Sequence, residues 1–254
     1  MIIQERFSLK DKVCIITGGE GFLGKQYAQA IKEAGGIPVS LDSAEEPDFK
    51  VDITSEEAVK EAIEQILEKY GRIDVLINNA AMNPAVGSKE SEKQFVPVDE
   101  YPIDLWVKEL EVNLTGMFIC SKVVIPAMKK QGKGVIVNIA SEVSEIAHDH
   151  RVYNEPGKYK SPAYVASKTG VVGLTRALAA QLGEYNIRVN ALSPGGVENP
   201  KMPRDFVERF GSSNMLSRMA QADEYNGAIL FLSSDASSFM TGHNLVIDGG
   251  KSAW

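Results

Sequence analysis

The sequence predicts an α/β fold: a doubly wound parallel sheet of about seven strands with helices on both faces. Three observations carry this. Short β-branched runs alternate with helical patterns from end to end, as βαβ units require. A glycine-rich turn stands between the first run and the first helical stretch. The 254 residues are 44% hydrophobic, enough to bury one large core without a linker, so one domain covers 1–254.

The elements follow in order. Residues 13–17 form the first apolar run, and the stretch 23–34 after the glycines has helical spacing. A second run at 37–41 precedes a long amphipathic stretch at 56–70, and a third run lies at 75–78. Residues 105–130 read as one long helix between that run and the next, at 135–139. A helix at 163–183 leads to a run at 187–192, and a last helix at 223–233 leads to the run at 245–247. Right-handed crossovers place these helices on both faces of the sheet.

Three stretches break the alternation: 82–101, 142–161 and 195–220. They are polar and punctuated by Pro and Gly, so they read as loops or lids. Each follows a strand at its C-terminal end, the edge where open α/β sheets bind ligands, so they are expected to surround the site.

Composition narrows the function. The net charge is −7 and the basic residues are scattered, which leaves no footprint for nucleic acid or an anionic membrane. The first twelve residues carry Glu5, Arg6, Lys10, Asp11 and Lys12, unlike a signal peptide. No stretch is expected to reach the roughly 20 apolar residues of a membrane span, and a cytoplasmic location follows as an expectation. Cys14 and Cys120 sit in apolar surroundings and read as buried thiols. His148 and His150 form an H-x-H pair with no further ligand cluster, so the reading is a polar loop and no metal.

The glycine turn runs Thr17-Gly18-Gly19-Glu20-Gly21-Phe22-Leu23-Gly24. After a first strand and before a helix, such glycines allow a tight turn and close approach to a pyrophosphate held at the helix N-terminus. An acidic residue, Asp42, follows about 20 residues on, which makes the pattern a Rossmann-type dinucleotide site. A carboxylate there accepts hydrogen bonds from ribose hydroxyls and repels a 2′-phosphate, and no Arg or Lys follows until Lys50. NAD is the expected cofactor.

Tyr164 and Lys168 stand four residues apart in the predicted helix 163–183. They share one helical face, so a cation there can stabilise a phenolate and make Tyr164 a general acid/base. Around them stand Asn78-Asn79-Ala80-Ala81, Asn113 in Val112-Asn113-Leu114-Thr115-Gly116, Ser141 after Val137-Asn138-Ile139-Ala140, and Ser193-Pro194-Gly195. With these motifs in this order, the chain resembles the short-chain dehydrogenase/reductase family over nearly its full length.

The resemblance implies an oxidoreductase in which Tyr164 exchanges a proton with the substrate oxygen while hydride moves to or from the nicotinamide. It implies that Lys168 lowers the Tyr164 pKa and binds the nicotinamide ribose, that Ser141 holds the reacting oxygen, and that Asn113 anchors a proton-relay water. Gly18, Glu20, Gly21, Phe22 and Leu23 would hold the dinucleotide with Asp42. Asp52 and Ile53 would meet the adenine, Asn79 and Ala80 would line the groove, and Pro194, Gly195 and Val197 would pass beside the nicotinamide. It further suggests a homotetramer or homodimer, in keeping with apolar residues on several faces of the 105–130 and 163–183 helices.

The chain also departs from the single-domain pattern. Phe22 replaces the middle glycine, with Gly21 one place earlier, and the Ser141-to-Tyr164 interval exceeds the usual dozen or so residues. That stretched segment, with Ser161-Pro162-Ala163-Tyr164, is similar to flagellin-modification and surface-polysaccharide oxidoreductases. Its cations Arg151, Lys158 and Lys160 suit an anionic sugar substrate; a solvated surface excursion explains them equally. The leading expectation is an NAD-dependent oxidoreductase acting on a secondary alcohol or ketone of a sugar derivative. The alternatives are a 3-oxoacyl thioester or other carbonyl reductase, a sugar epimerase or dehydratase with recycled NAD, and a non-catalytic binding protein.

Overall fold

A computed structural model describes residues 2–84 and 89–254; positions 85–88 of the predicted 82–101 loop lie outside the described residues. After a short helix α1 (Ile3–Arg6) come β1 (Val13–Thr17), α2 (Phe22–Glu33), β2 (Ile37–Asp42) and β3 (Phe49–Lys50). Helix α3 (Glu56–Tyr70), β4 (Val75–Asn78), α4 (Ile103–Leu110), α5 (Met117–Gln131) and β5 (Gly134–Ile139) follow. Then come α6 (Pro162–Leu182), β6 (Ile187–Pro194), α7 (Arg204–Ser212), α8 (Asn226–Ser233) and β7 (Asn244–Ile247).

The seven strands form one parallel sheet in the order β3-β2-β1-β4-β5-β6-β7. Every residue of β1, β4 and β5 is buried, as expected for central strands covered on both faces. Alternate side chains feed two cores. Ile15, Leu76, Ile136 and Val189 pack with Val59, Ile63, Ile66, Val124 and Leu178 on one face. Cys14, Ile16, Ile77 and Val137 pack with Tyr27, Ile31, Ile229 and Leu232 on the other. Both cysteines are buried and free. Local signals place the helix ends: the Ser55 hydroxyl caps α3 by accepting from Ala58 N, and Gly71, at φ +72°, stops it in the left-handed conformation.

Five expectations need correction. The two-residue β3 was not predicted, because so short a pair has no periodicity to read. The predicted 105–130 helix is Ile103–Gln131, interrupted by a π turn at Glu111–Gly116. An 18-residue window of it reaches a mean hydropathy of 1.3, so one segment does pass for a membrane span by length and composition. The helix packs on β4 and β5 and against α3 and α6, while Ile103, Val107 and Phe118 stay exposed. The 195–220 stretch contains the helix α7, since Phe206, Val207 and Phe210 form an apolar stripe. That stripe packs on Val152, Tyr153, Phe95 and Met219. The 142–161 insertion is therefore not a solvated excursion: its middle joins α7 in a separate small core over the end of the sheet.

The order reverses between β1 and β4, and the chain crosses there to opposite halves of the sheet. A cleft opens at the carboxyl ends of the strands beside this point, as the doubly wound topology requires.

Candidate active site

The cleft encloses about 770 Å³. At one end, Gly18 adopts φ +64°, and a Cβ on it would lie 2.8 Å from Ala80 Cα; a Cβ on Gly19 would meet the Ser40 hydroxyl. Gly24 lies against the Gly18 carbonyl with no room for a side chain. The Thr17 hydroxyl accepts from Asn79 N at 3.0 Å and Ala80 N at 3.1 Å, while the Asn79 amide donates to the Thr17 and Gly18 carbonyls. These bonds lock the ends of β1 and β4 together around the turn. At the tip of β2, Asp42 accepts from Glu20 N at 3.0 Å and Ala44 N at 3.1 Å. The Thr54 hydroxyl and amide hold the Asp52 carboxyl below its usual pKa.

This end fits a nicotinamide dinucleotide. Its glycines let the turn fold tightly against Ala80 and Ser40, where a Cβ would collide, and the first turn of α2 lines the cleft with N–H groups that have no intrahelical acceptor. Of the expected cofactor positions, Gly18, Gly21, Phe22, Leu23, Asp42, Asp52, Ile53, Asn79, Ala80, Pro194, Gly195 and Val197 line this one cleft. Glu20 does not. Its N–H binds Asp42, and its side chain turns outward to Lys25 at 3.5 Å.

The centre of the cleft is carried by α6. Its first turn is capped by Ser161, whose hydroxyl accepts from Tyr164 N at 3.0 Å, with Pro162 next in the chain. Ser161 in turn donates to Glu109 Oε2 at 2.7 Å, and Tyr101 donates to Glu109 Oε1. Glu109 is fully buried in α4, and its charge suits the N-terminus of α6. The cap therefore fixes the turn that carries the tyrosine. Nothing in the sequence marked Glu109, because its partners lie on two other segments.

Tyr164 and Lys168 line the cleft on one face of α6, as the spacing predicted. Lys168 Nζ donates to the Ile139 carbonyl at 2.7 Å and stands 5.7 Å from the Tyr164 ring centre. Ser141, just past β5, lies beside the Tyr164 phenol and draws its pKa down. The expected lowering of the phenol by Lys168 is not what this structure displays. Burial raises Tyr164 to about 12, opposed by Ser141 and assisted by the charges of Glu142 and Glu109. Burial, with the Lys160 charge, lowers Lys168 to about 7.

Asn113 lies inside the π turn, fully buried and behind the cleft wall. Its Oδ1 accepts from Met82 N at 2.6 Å, and its Nδ2 donates to the Ser167 hydroxyl at 3.4 Å. Asn113 thus ties the wide turn to the loop after β4 and to the helix that carries the tyrosine. Such π turns cluster at functional sites.

The insertion divides its three cations. The Arg151 side chain is 92% exposed and paired with Asp149, and Lys158 pairs with Glu155 on the surface; neither lines the cleft. Both are corrected as substrate contacts: a carboxylate near in sequence holds each outside. Lys160 does line it. Its Nζ sits 4.0 Å from the Tyr164 ring centre and donates to Asn83 Oδ1 at 2.6 Å, and burial lowers its pKa to about 8.

Glu142 and His148 are among the lining residues that the sequence reading did not place in the site. Glu142 follows Ser141 and pairs with Lys251 at 3.1 Å, both side chains 5% exposed. His148, expected in a polar loop, packs between Tyr153 and Phe210, and burial lowers it to about 3. Their common signal was position in the 142–161 excursion, which says nothing of which side chains turn inward. Among the described residues no group of His, Cys, Asp or Glu could hold a metal ion.

In chemical terms the cleft offers a protonated phenol and a serine hydroxyl at one point, with a dinucleotide-shaped groove leading to it. Comparison with known proteins agrees with that geometry. Residues 25–252 match a family profile described as enoyl-(acyl carrier protein) reductase. The chain is 36% identical to the 3-oxoacyl-[acyl-carrier-protein] reductase of Thermotoga maritima, covering 95% of this chain and 98% of that one. It is 33% identical to an NAD-dependent glycerol dehydrogenase of Listeria innocua, over 96% and 95% of the two chains. A gluconate 5-dehydrogenase from Burkholderia cenocepacia, solved with NADP and tartrate, superposes with a TM-score of 0.87 at 28% identity over the whole of both chains. The relatives thus use NAD or NADP and act on different alcohols and ketones. The chain belongs to the short-chain dehydrogenase/reductase family, as an oxidoreductase acting on CH–OH groups.

Proposed function

We propose that the protein is an NAD-dependent dehydrogenase that interconverts a secondary alcohol and its ketone in a sugar derivative bearing an oxyanion. The observation that carries the substrate class is Lys160. It brings a cation over the ring of the reacting tyrosine, and among the described residues it forms no ion pair with a carboxylate. Asp42 supports NAD, because its carboxylate at the tip of β2 would repel a 2′-phosphate.

In this reading the bound nicotinamide supplies or accepts the hydride. Ser141 holds the substrate oxygen, and Tyr164 gives that oxygen a proton in reduction or takes one in oxidation. Lys168, fixed by the Ile139 carbonyl, would hold the ribose hydroxyls, and Asn113, tied to Met82, would anchor a proton-relay water. Exposed Ile103, Val107 and Phe118 on α4 and α5 suit a homodimer or homotetramer, which sedimentation would test; a monomer would contradict it.

A second reading, reduction of a 3-oxoacyl thioester, is favoured by the 36% identity to the Thermotoga protein. Initial rates with NAD and NADP against sugar phosphates, aldonic acids, neutral polyols and acetoacetyl-CoA separate the two. The proposal expects NAD reduction with an anionic polyol. Turnover of acetoacetyl-CoA with NADPH alone would replace it by the second reading.

A further inference from the structure

Nine buried side-chain atoms among the described residues lack a hydrogen-bond partner. Three of them, Glu142 Oε2 and both ring nitrogens of His148, belong to side chains that line the cleft around Tyr164. Glu142 is 4% exposed. Its other oxygen, Oε1, accepts from Lys251 Nζ at 3.1 Å, and that Nζ lies 3.6 Å from the Phe210 ring centre. The carboxylate is thus anchored at one oxygen, between the C-terminal tail and α7, with the second left over. The His148 ring stands 5.4 Å from Tyr153 and 6.2 Å from Phe210, centre to centre. Neutral at ordinary pH, it offers one donor and one acceptor.

We infer that Glu142 and His148 form a hydroxyl-reading subsite in the cleft around Tyr164, which makes the substrate polyhydroxylated. Glu142 Oε2 accepts from one hydroxyl. The imidazole donates to a second through one nitrogen and accepts through the other. Phe95, Phe206 and Phe210 line the same end and cover the C–H edges of such a chain. A fatty acyl chain would fill the aromatic part but leave all three polar atoms unpaired, and sites with unpaired polar groups reject such ligands strongly. The inference rests on the dehydrogenase reading above and deepens its substrate class.

The test uses the full-length protein with NAD and a graded series: 2-butanol, 2,3-butanediol, erythritol, xylitol and D-gluconate. The expected result is a rise of at least about tenfold in kcat/KM from 2-butanol to the best polyol. Glu142→Gln, which keeps a carbonyl oxygen for Lys251, and His148→Phe should each shrink that ratio at least about tenfold, through KM more than kcat. If Glu142→Gln does not fold, His148→Phe and His148→Asn, which leave the Glu142–Lys251 pair intact, decide alone. Polyols no better than 2-butanol, or a ratio that survives the substitutions, would overturn the subsite and leave water as its occupant, with the dehydrogenase reading intact. Turnover of acetoacetyl-CoA with no member of the series oxidised would instead remove the dehydrogenase reading, and the subsite with it.

Discussion

The two halves of the cleft are built on opposite principles. The cofactor half is made of backbone: glycines without room for a Cβ, strand ends tied by Thr17 and Asn79, and one carboxylate at the tip of β2. The substrate half is made of side chains from α7, the insertion and the C-terminal tail, and it holds buried charged or polar groups with partners missing. An unpaired buried polar atom costs about 1–3 kcal/mol. The first half fits a nicotinamide dinucleotide through its backbone; the second leaves hydrogen-bonding capacity open on its side chains. Rigidity of backbone and unsatisfied side chains are thus the respective means of recognition in the two halves.

The largest effect should fall where the halves meet. Tyr164→Phe is expected to lower turnover at least about a hundredfold, the usual worth of a positioned acid/base, with NAD binding measured by fluorescence titration nearly unchanged. Equal turnover would remove the acid/base role. In the substrate half, Lys160→Ala should raise KM for an oxyanion-bearing substrate about tenfold, as loss of a charge-assisted contact does, and leave NAD affinity alone. In the cofactor half, Asp42→Ser should narrow the NAD-to-NADP preference about tenfold; an unchanged preference would place cofactor choice elsewhere. Gly24→Ala should cost about 1–3 kcal/mol of stability, because the new methyl meets backbone that cannot move aside, and melting curves would register it. The smallest effect should come from Arg151→Ala and Lys158→Ala, less than about twofold in kcat/KM, since exposed ion pairs are worth little.

Acid should also separate the halves. His148 has its pKa lowered from 6.5 to about 3, so between those values the unfolded chain binds the proton and the folded chain resists it. Stability contributed by the neutral imidazole is complete above 6.5 and falls as pH drops toward 3. His148→Asn should flatten that acid limb in denaturant titrations; an unchanged limb would mean that the ring is not held neutral in the folded state.

The legibility of the sequence follows the same division. Gly18, Gly21, Asp42, Asn79, Ser141, Tyr164 and Lys168 were readable because their chemistry depends on local spacing: a turn, a strand end, one helical face. The strands were readable because buried parallel strands need unbroken apolar runs, whereas β3 was too short to show one. Helix α7 was hidden by the Pro and Gly around it, and its stripe of Phe206, Val207 and Phe210 makes sense only against Val152 and Tyr153 of the insertion.

By itself the sequence determined the sheet, the glycine turn after β1 and the shared helical face of Tyr164 and Lys168, all of which rest on neighbours a few residues apart or on a repeat of period two or 3.6. Only the tertiary structure decided that Lys160 enters the cleft while Arg151 and Lys158 face water, that Glu109 holds the cap of α6, and that Glu142 meets Lys251. Those outcomes depend on which distant segments pack together and which charges find a partner before they reach the site. Local spacing carries no record of either.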